Sequence, residues 1–341
     1  MWNSGFKWMF LIIGTMIGAG YASGRELWQF FGEESGLAIL LFTILFTLSC
    51  YVILRISYEH KSSHYIPVLE KIVGKKLSVV YDGMILLYLF STTVIMLAGS
   101  GATLHAFDLP NWFGIVVIAI PLVLVFVKDL NGVLSMNSFI LPLLIVGLLS
   151  VLVIFSLQNQ LSFFPDLAHQ RNWTAAFPFT ALNILPLIAV LGAIGDQVKG
   201  KGEIWIASLG SGAILGVISY IYNNSLVQIS DAVLLYEIPL FAILKDYPYI
   251  MFLFMSAMLW LAIFTTAVSG TLGLVTRLRN LVAGPLWVLA LITVVLMLPL
   301  TNIGFSTLIE YLYPLYGVLN LYVLSSIILY PIVNRYKGLE K

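Results

Sequence analysis

The sequence predicts an all-α polytopic membrane protein: ten transmembrane helices in two inverted five-helix repeats, with helices 1 and 6 broken. Three observations carry that prediction. Of the 341 residues, 60% are hydrophobic and only 10% are charged, and the mean hydropathy is +0.99, as for a chain whose solvent is mostly lipid. Apolar stretches of spanning length, about 20 residues, recur along the chain between short polar or Pro/Gly-marked turns. Four glycines fall within the eleven residues from Gly14 to Gly24, where a membrane helix should be continuous.

The same composition excludes several classes. A net charge of +1 leaves no basic or acidic block for a nucleic acid to bind. The single Cys50 rules out an internal disulfide, and His60, His64, His105 and His169 show no metal-ligand spacing. There is no ATP-binding motif and no catalytic constellation, so neither an enzyme nor a cofactor is expected.

Span one is placed at roughly 5–32. It continues past signal-peptide length and carries Arg25 and Glu26 instead of a small-residue cleavage site, so it is read as retained, with the chain starting at Met1. Glycine in a helix interior costs about 1 kcal/mol relative to alanine. Non-helical backbone at membrane depth survives only where it is buried in protein or lines a cavity, so the broken first span points to a binding site. Spans two to five follow at roughly 36–59, 77–107, 111–127 and 132–157.

Span six, at roughly 173–198, contains Pro186, which removes a backbone donor and clashes with the carbonyl four residues back. The helix is expected to open near Thr180 to Asn183. That opening falls at the place corresponding to the glycine break, as two halves of opposite orientation require. Spans seven to ten lie at roughly 203–226, 248–276, 281–299 and 302–333. The apolar piece Ile229 to Leu244 holds Asp231, Glu237 and Pro239, too many interruptions to span, and is read as a helical extracellular lid. The whole chain is then one transmembrane domain, with repeats at 5–157 and 173–333.

Orientation follows from Lys and Arg placement, because cytoplasmic loops carry the excess. With the N-terminus inside, 14 of the 17 basic residues fall on the inner side, leaving only Arg25, Arg171 and Lys245 outside. Missing or inventing one span would scramble that split. Both termini are therefore expected in the cytoplasm of a multi-pass cell-membrane protein.

The motif Gly14-x-x-x-Gly18-x-Gly20 resembles the first-helix signature of the amino acid, polyamine and organocation (APC) superfamily and of LeuT-type sodium symporters. The continuation Gly18-Ala19-Gly20-Tyr21-Ala22-Ser23-Gly24-Arg25-Glu26 is similar to YkvI-like bacterial membrane proteins, a branch related to the B subunits of spore-germinant receptors. The resemblance covers nearly the whole chain. It implies a sodium site made by the carbonyls of Gly14 and Ile17, the carbonyl of Ala262 and the hydroxyls of Thr265 and Thr266. Alternatively, the threonine pair bonds back to its own helix carbonyls, as is common in membrane helices. Proton-coupled relatives place a lysine from span five in this position, whereas Gly132 to Leu157 carries no charge. Tyr21 stands where a second sodium site needs asparagine, and the residues that metal-transporting relatives require in both breaks are missing.

Substrate contacts implied by the resemblance are the backbone of Gly18, Ala19 and Gly20, the side chains of Thr180 and Asn183, and Phe177 or Phe179 as a cover. The span-three hydroxyls Ser91, Thr92 and Thr93 read as helix packing. No acid lies within the first break, so a substrate ammonium meets carbonyls and hydroxyls or reaches Glu26. Arg25, Glu26 and Glu310 are charges that cost about 2.5 to 3.5 kcal/mol each inside a bilayer. LeuT-type symporters imply a gate here, with Arg25 pairing to Glu310 when the outer vestibule closes; the alternative is that Arg25 and Glu26 are solvated at the water boundary. The implied function is secondary transport by sodium-coupled symport of an amino acid, a related small zwitterion or an organic amine. Two alternatives stay open: a ligand-sensing receptor related to the germinant receptors, and proton coupling. The expected partners are a small-molecule substrate and the lipid bilayer; oligomeric state leaves no mark in the sequence.

Overall fold

The computed structural model describes the backbone of residues 2–127, 130–162, 170–279 and 284–339, and side chains over 4–127, 140–162, 170–279 and 284–333. Lys128, His169, Lys341, the start of the expected ninth span and the side chains of Arg335 and Lys337 lie outside the described residues. Among those described the structure is helical and contains no strand.

The first span is divided into α1 (Trp2–Met16), α2 (Ala19–Ala22) and α3 (Arg25–Phe30). At 15 residues α1 reaches only about 22 Å, short of the ~30 Å hydrocarbon core. The first break is Ile17–Gly18. Gly18 is extended there (φ −92°, ψ −173°), and its N–H turns to the Met16 carbonyl at 2.9 Å rather than to Gly14 four residues back. The second break needs its glycine, because Gly24 has φ +80°.

Next come α4 (Gly36–Glu59), the short α5 (Ile66–Val73), α6 (Lys75–His105), α7 (Asn111–Val125) and α8 (Leu130–Gln158). The second half holds α9 (Ala176–Leu191), α10 (Lys201–Gln228), α11 (Ser230–Val233), α12 (Pro239–Leu244), α13 (Tyr249–Leu278), α14 (Leu286–Thr301), α15 (Phe305–Leu319) and α16 (Leu321–Leu339). Seven segments are long and apolar enough to cross a membrane, the α15–α16 stretch Phe305–Val333 counting as one of them. The apolar α7 and α14 are shorter, and the first span is in pieces, consistent with ten crossings.

Three features differ from the sequence-based expectation. α9 does not open near Thr180 to Asn183 but runs unbroken through Pro186. A proline deletes one helical bond, and neighbouring helices and polar side chains hold the remainder together: the Thr180 hydroxyl donates to the Ala176 carbonyl at 2.6 Å, and the Asn183 amide to the Phe179 carbonyl at 2.9 Å. Regular structure is lost further along, over residues 192–200, where the chain crosses the end of α4 and the start of α5 so closely that a Cβ on Gly192 would stand 2.8 Å from Tyr65 Cα and one on Gly195 would collide with the Ser57 carbonyl. The carbonyls freed there are met by serine hydroxyls: Ser57 donates to Leu191 and Ser62 to Gly192, each at 2.7 Å.

The second difference is α5, which the sequence reading did not separate from its loop; it buries Val68, Leu69, Ile72 and Val73. Tyr65 at its start bonds the Asp82 carboxylate, which also pairs with Arg277 of α13. Burial with that carboxylate alongside pushes the Tyr65 hydroxyl up to about 12. The third is the 229–244 segment, helical as expected but in two pieces, with every residue of α12 buried.

The packing pairs follow a pattern. α1 lies on α10 as α9 lies on α4; α6 on α7 as α13 on α14; α13 on α8 as α15 on α6; and α14 on α6 as α13 on α7.

Candidate functional site: a cavity at the first-span break

A cavity of about 730 Å³ starts among Lys7 and Phe10 of α1, passes the Ile17–Gly18 break, and ends at Glu26. Its walls come from α6, α8, α9, α13 and α15 as well as from the first span. Lys7 and Phe10 are exposed, so that end is open. The other end is sealed by packed rings: Phe179 stands 4.6 Å from Phe31, 4.8 Å from Phe42 and 5.3 Å from Phe30, centroid to centroid. Backbone polar groups in the seal are also paired. The Leu240 N–H of α12 donates to the Ser23 carbonyl at 2.9 Å, and the Asn223 amide donates to the Gly32 carbonyl at 2.8 Å.

The implied substrate residues divide. Gly18, Gly20 and Asn183 line the cavity. Ala19 and Thr180 are fully buried in packing, and Phe177 lies off the cavity beside Trp173, 6.1 Å between centroids. Of the span-three hydroxyls only Thr92 reaches the wall, and it donates to the Tyr88 carbonyl.

Among the implied ion ligands, Gly14 and Thr266 face the cavity. Thr266 is the neighbour across from Gly18: its Cγ2 would be 3.9 Å from a Cβ placed there. Thr265 and Thr266 both donate to the Ala262 carbonyl, at 3.1 and 2.8 Å. A hydroxyl that donates keeps its lone pairs, so back-bonding and cation ligation are compatible.

The gate residues separate. Arg25 is half-buried with its Nε lacking a hydrogen-bond partner, Glu310 is exposed, and no ion pair within 4 Å joins them among the described residues. Glu26 is neither ion-paired among the described residues nor solvated at a water boundary, and it stands on the cavity wall, where a substrate ammonium can reach it. It is only 5% exposed, it accepts a hydrogen bond from Asn183 Nδ2 at 3.2 Å, and its carboxylate folds back toward Gly20, where a Cβ would come within 2.9 Å of Oε2. α3 thus returns an acid to the break that contains none in sequence. Tyr313 of α15 packs against the same glycine, and Tyr88 of α6 lines the same cavity. Neither tyrosine carried a sequence signal.

At the open end, the Trp8 indole donates to Glu203 Oε2 at 3.2 Å, tying α1 to α10, and the Lys7 ammonium lies 4.4 Å from the Trp8 ring centroid.

Comparison with known proteins gives this geometry a family. YyaD of Bacillus subtilis (strain 168) is 50% identical over 337 residues, covering 99% of this chain and all of YyaD. The chain belongs to the YyaD family. The membrane protein YkvI of the same organism is more distant within this group, 25% identical over 330 residues and 94% of each chain. A family model described as spore germination protein matches residues 4–165. Among solved structures, the family's fold matches a manganese transporter from Eremococcus coleocola (TM-score 0.63, 13% identity, 96% of this chain and 78% of that one). It also matches Mhp1 in an inward-facing conformation (TM-score 0.58, 14% identity, 93% and 76%). The YkvI likeness and the LeuT-type fold drawn from the first-helix motif are therefore shown. This is a multi-pass membrane protein of transporter fold.

Proposed function

We propose that the protein is a secondary active transporter in which this cavity is the substrate path, working by alternating access on an amino acid, a related small zwitterion or an organic amine. The observation that carries the reading is the cavity itself, open at one end, sealed at the other, and ending where the first span is broken. A path that reaches mid-membrane from one side only is what alternating access requires. The matched packing of α1·α10 with α9·α4, and of the three further pairs, supports two inverted repeats of five spans. Basic-residue placement supports cytoplasmic termini, with the cavity open inward.

Sodium is the coupling ion in this reading. Its cradle is the Gly14 carbonyl, relieved of the Gly18 N–H, with Ile17, Ala262 and the hydroxyls of Thr265 and Thr266. Hard oxygen donors of this kind suit a small alkali cation. A second reading, a ligand-sensing receptor, draws on the resemblance of residues 4–165 to a spore germination protein.

Proteoliposome uptake of a labelled amino-acid and amine panel, driven by an inward sodium gradient and compared with potassium, tests both. Wild-type protein is expected to accumulate substrate only with sodium, and Thr266→Val to lose at least tenfold of that accumulation. Accumulation driven equally by a proton gradient removes the sodium assignment, and saturable binding without flux moves the protein to the receptor class.

A further inference from the structure

We infer that Glu26 is the receptor for a positively charged head group, and that the cavity takes an organic ammonium with an apolar body in preference to a zwitterion. This rests on the cavity being the substrate path proposed above, and it narrows what enters.

Glu26 stands at the sealed end of the cavity, 5% exposed, with one hydrogen bond from Asn183 Nδ2. Among the described residues no Lys or Arg approaches its carboxylate within 4 Å. Its neighbour Arg25 is turned elsewhere, within electrostatic reach of Glu310 and Glu237. Lys7, the basic residue on the cavity wall, lies at the open end, on the order of 20 Å away along the first span. A carboxylate removed from water is strongly destabilising unless a cation offsets it. No side chain supplies that cation among the described residues, so what offsets Glu26 is either a proton or the cation of a ligand.

The remaining walls state what the rest of the ligand should be. Met16, Ile85, Leu89, Met96, Leu141 and Val190 surround the approach with apolar surface. Tyr88 and Tyr313 add rings near Glu26, which favour cations over anions. A ligand carboxylate would find no basic side chain at this end and would be repelled by Glu26. An ammonium would gain a charge-assisted hydrogen bond while its alkyl or aryl body fills the apolar walls.

The test uses purified full-length protein in detergent, with thermal stabilisation and equilibrium dialysis against two matched series: isoamylamine, leucine and isoamyl alcohol; phenethylamine, phenylalanine and 2-phenylethanol. At least one amine is expected to bind about tenfold or more tightly than both its amino acid and its alcohol. Glu26→Gln should lose that tenfold and Glu26→Asp keep most of it; the Asp variant preserves the test if Gln fails to fold. The inference is overturned if either amino acid binds as tightly as its amine, if Glu26→Gln leaves amine affinity unchanged, or if no amine binds, which would reserve Glu26 for a proton. Amine binding through Glu26 without gradient-driven uptake keeps this inference and overturns the transport reading. Gradient-driven uptake of leucine that is indifferent to Glu26→Gln does the reverse.

Discussion

Gly20 and Gly24, four residues apart in the same glycine-rich stretch, do different jobs, and substituting each separates binding from folding. A Cβ on Gly20 would meet Glu26 Oε2 at 2.9 Å and the Tyr313 ring at 3.1 Å. Both are ends of side chains that can yield, so Gly20→Ala is expected to weaken amine binding at least tenfold while costing under about 1 kcal/mol of stability. Dialysis and a melting curve on one sample read both quantities. A Cβ on Gly24 meets the Tyr222 ring at 2.7 Å from a backbone at φ +80°, where an L side chain is strained. Gly24→Ala should therefore lower the melting temperature well below that of Gly20→Ala; equal melting temperatures would refute the distinction. The sequence shows the four glycines but not this division, because φ at Gly24 and the return of Glu26 toward Gly20 are set by how α3 folds back on α2.

At the scale of elements, helix identity was largely legible and helix interruption only half so. Apolar length and basic-residue spacing locate the spans, since a lipid solvent forces every backbone group to pair within its own helix. The glycine break was read correctly between α1 and α2. Reading Pro186 as an opening near Thr180 to Asn183 failed, because α9 bridges its proline and the irregular segment falls at 192–200. That segment depends on close passage over α4: Gly195→Ala would drive a Cβ into the Ser57 backbone carbonyl, which cannot rotate away, and is expected to cost about 2 kcal/mol or more. Gly83→Ala, inside α6 and with nothing within 4 Å of its Cβ, is the control and should melt no lower than the wild type. Similar losses in both variants would show that the passage is not tightly packed.

For the whole molecule the decisive property is that, among the described residues, the cavity opens beside Lys7 and is closed by packed rings at its other end. Cys50 is fully buried, so native thiol background should be low and single added cysteines readable. Val190→Cys, on the cavity wall, is expected to react with a membrane-impermeant thiol reagent applied to the Lys7 side, and Phe31→Cys, inside the aromatic seal, to resist it from either side. A cation that occupies the site should slow Val190→Cys labelling. Labelling of both cysteines from both sides would mean that the seal is not closed in the membrane.

The sequence by itself determined that this chain lies in a membrane, roughly where it crosses, that its first crossing is interrupted, and that Arg25, Glu26 and Glu310 need reasons to be there. Those properties are local: each follows from hydropathy, backbone freedom or the cost of one charge, summed over neighbours in the chain. Tertiary structure alone decided that Glu26 meets Asn183 and Gly20 at the end of the cavity while Arg25 and Glu310 form no ion pair within 4 Å, and that Tyr88 and Tyr313 share the site. These depend on which helix face packs inward, and in lipid, where apolar surface is as well solvated by tails as by neighbours, hydropathy does not choose the face. Close packing of small residues and buried hydrogen bonds choose it, and they become visible only when distant spans are brought together.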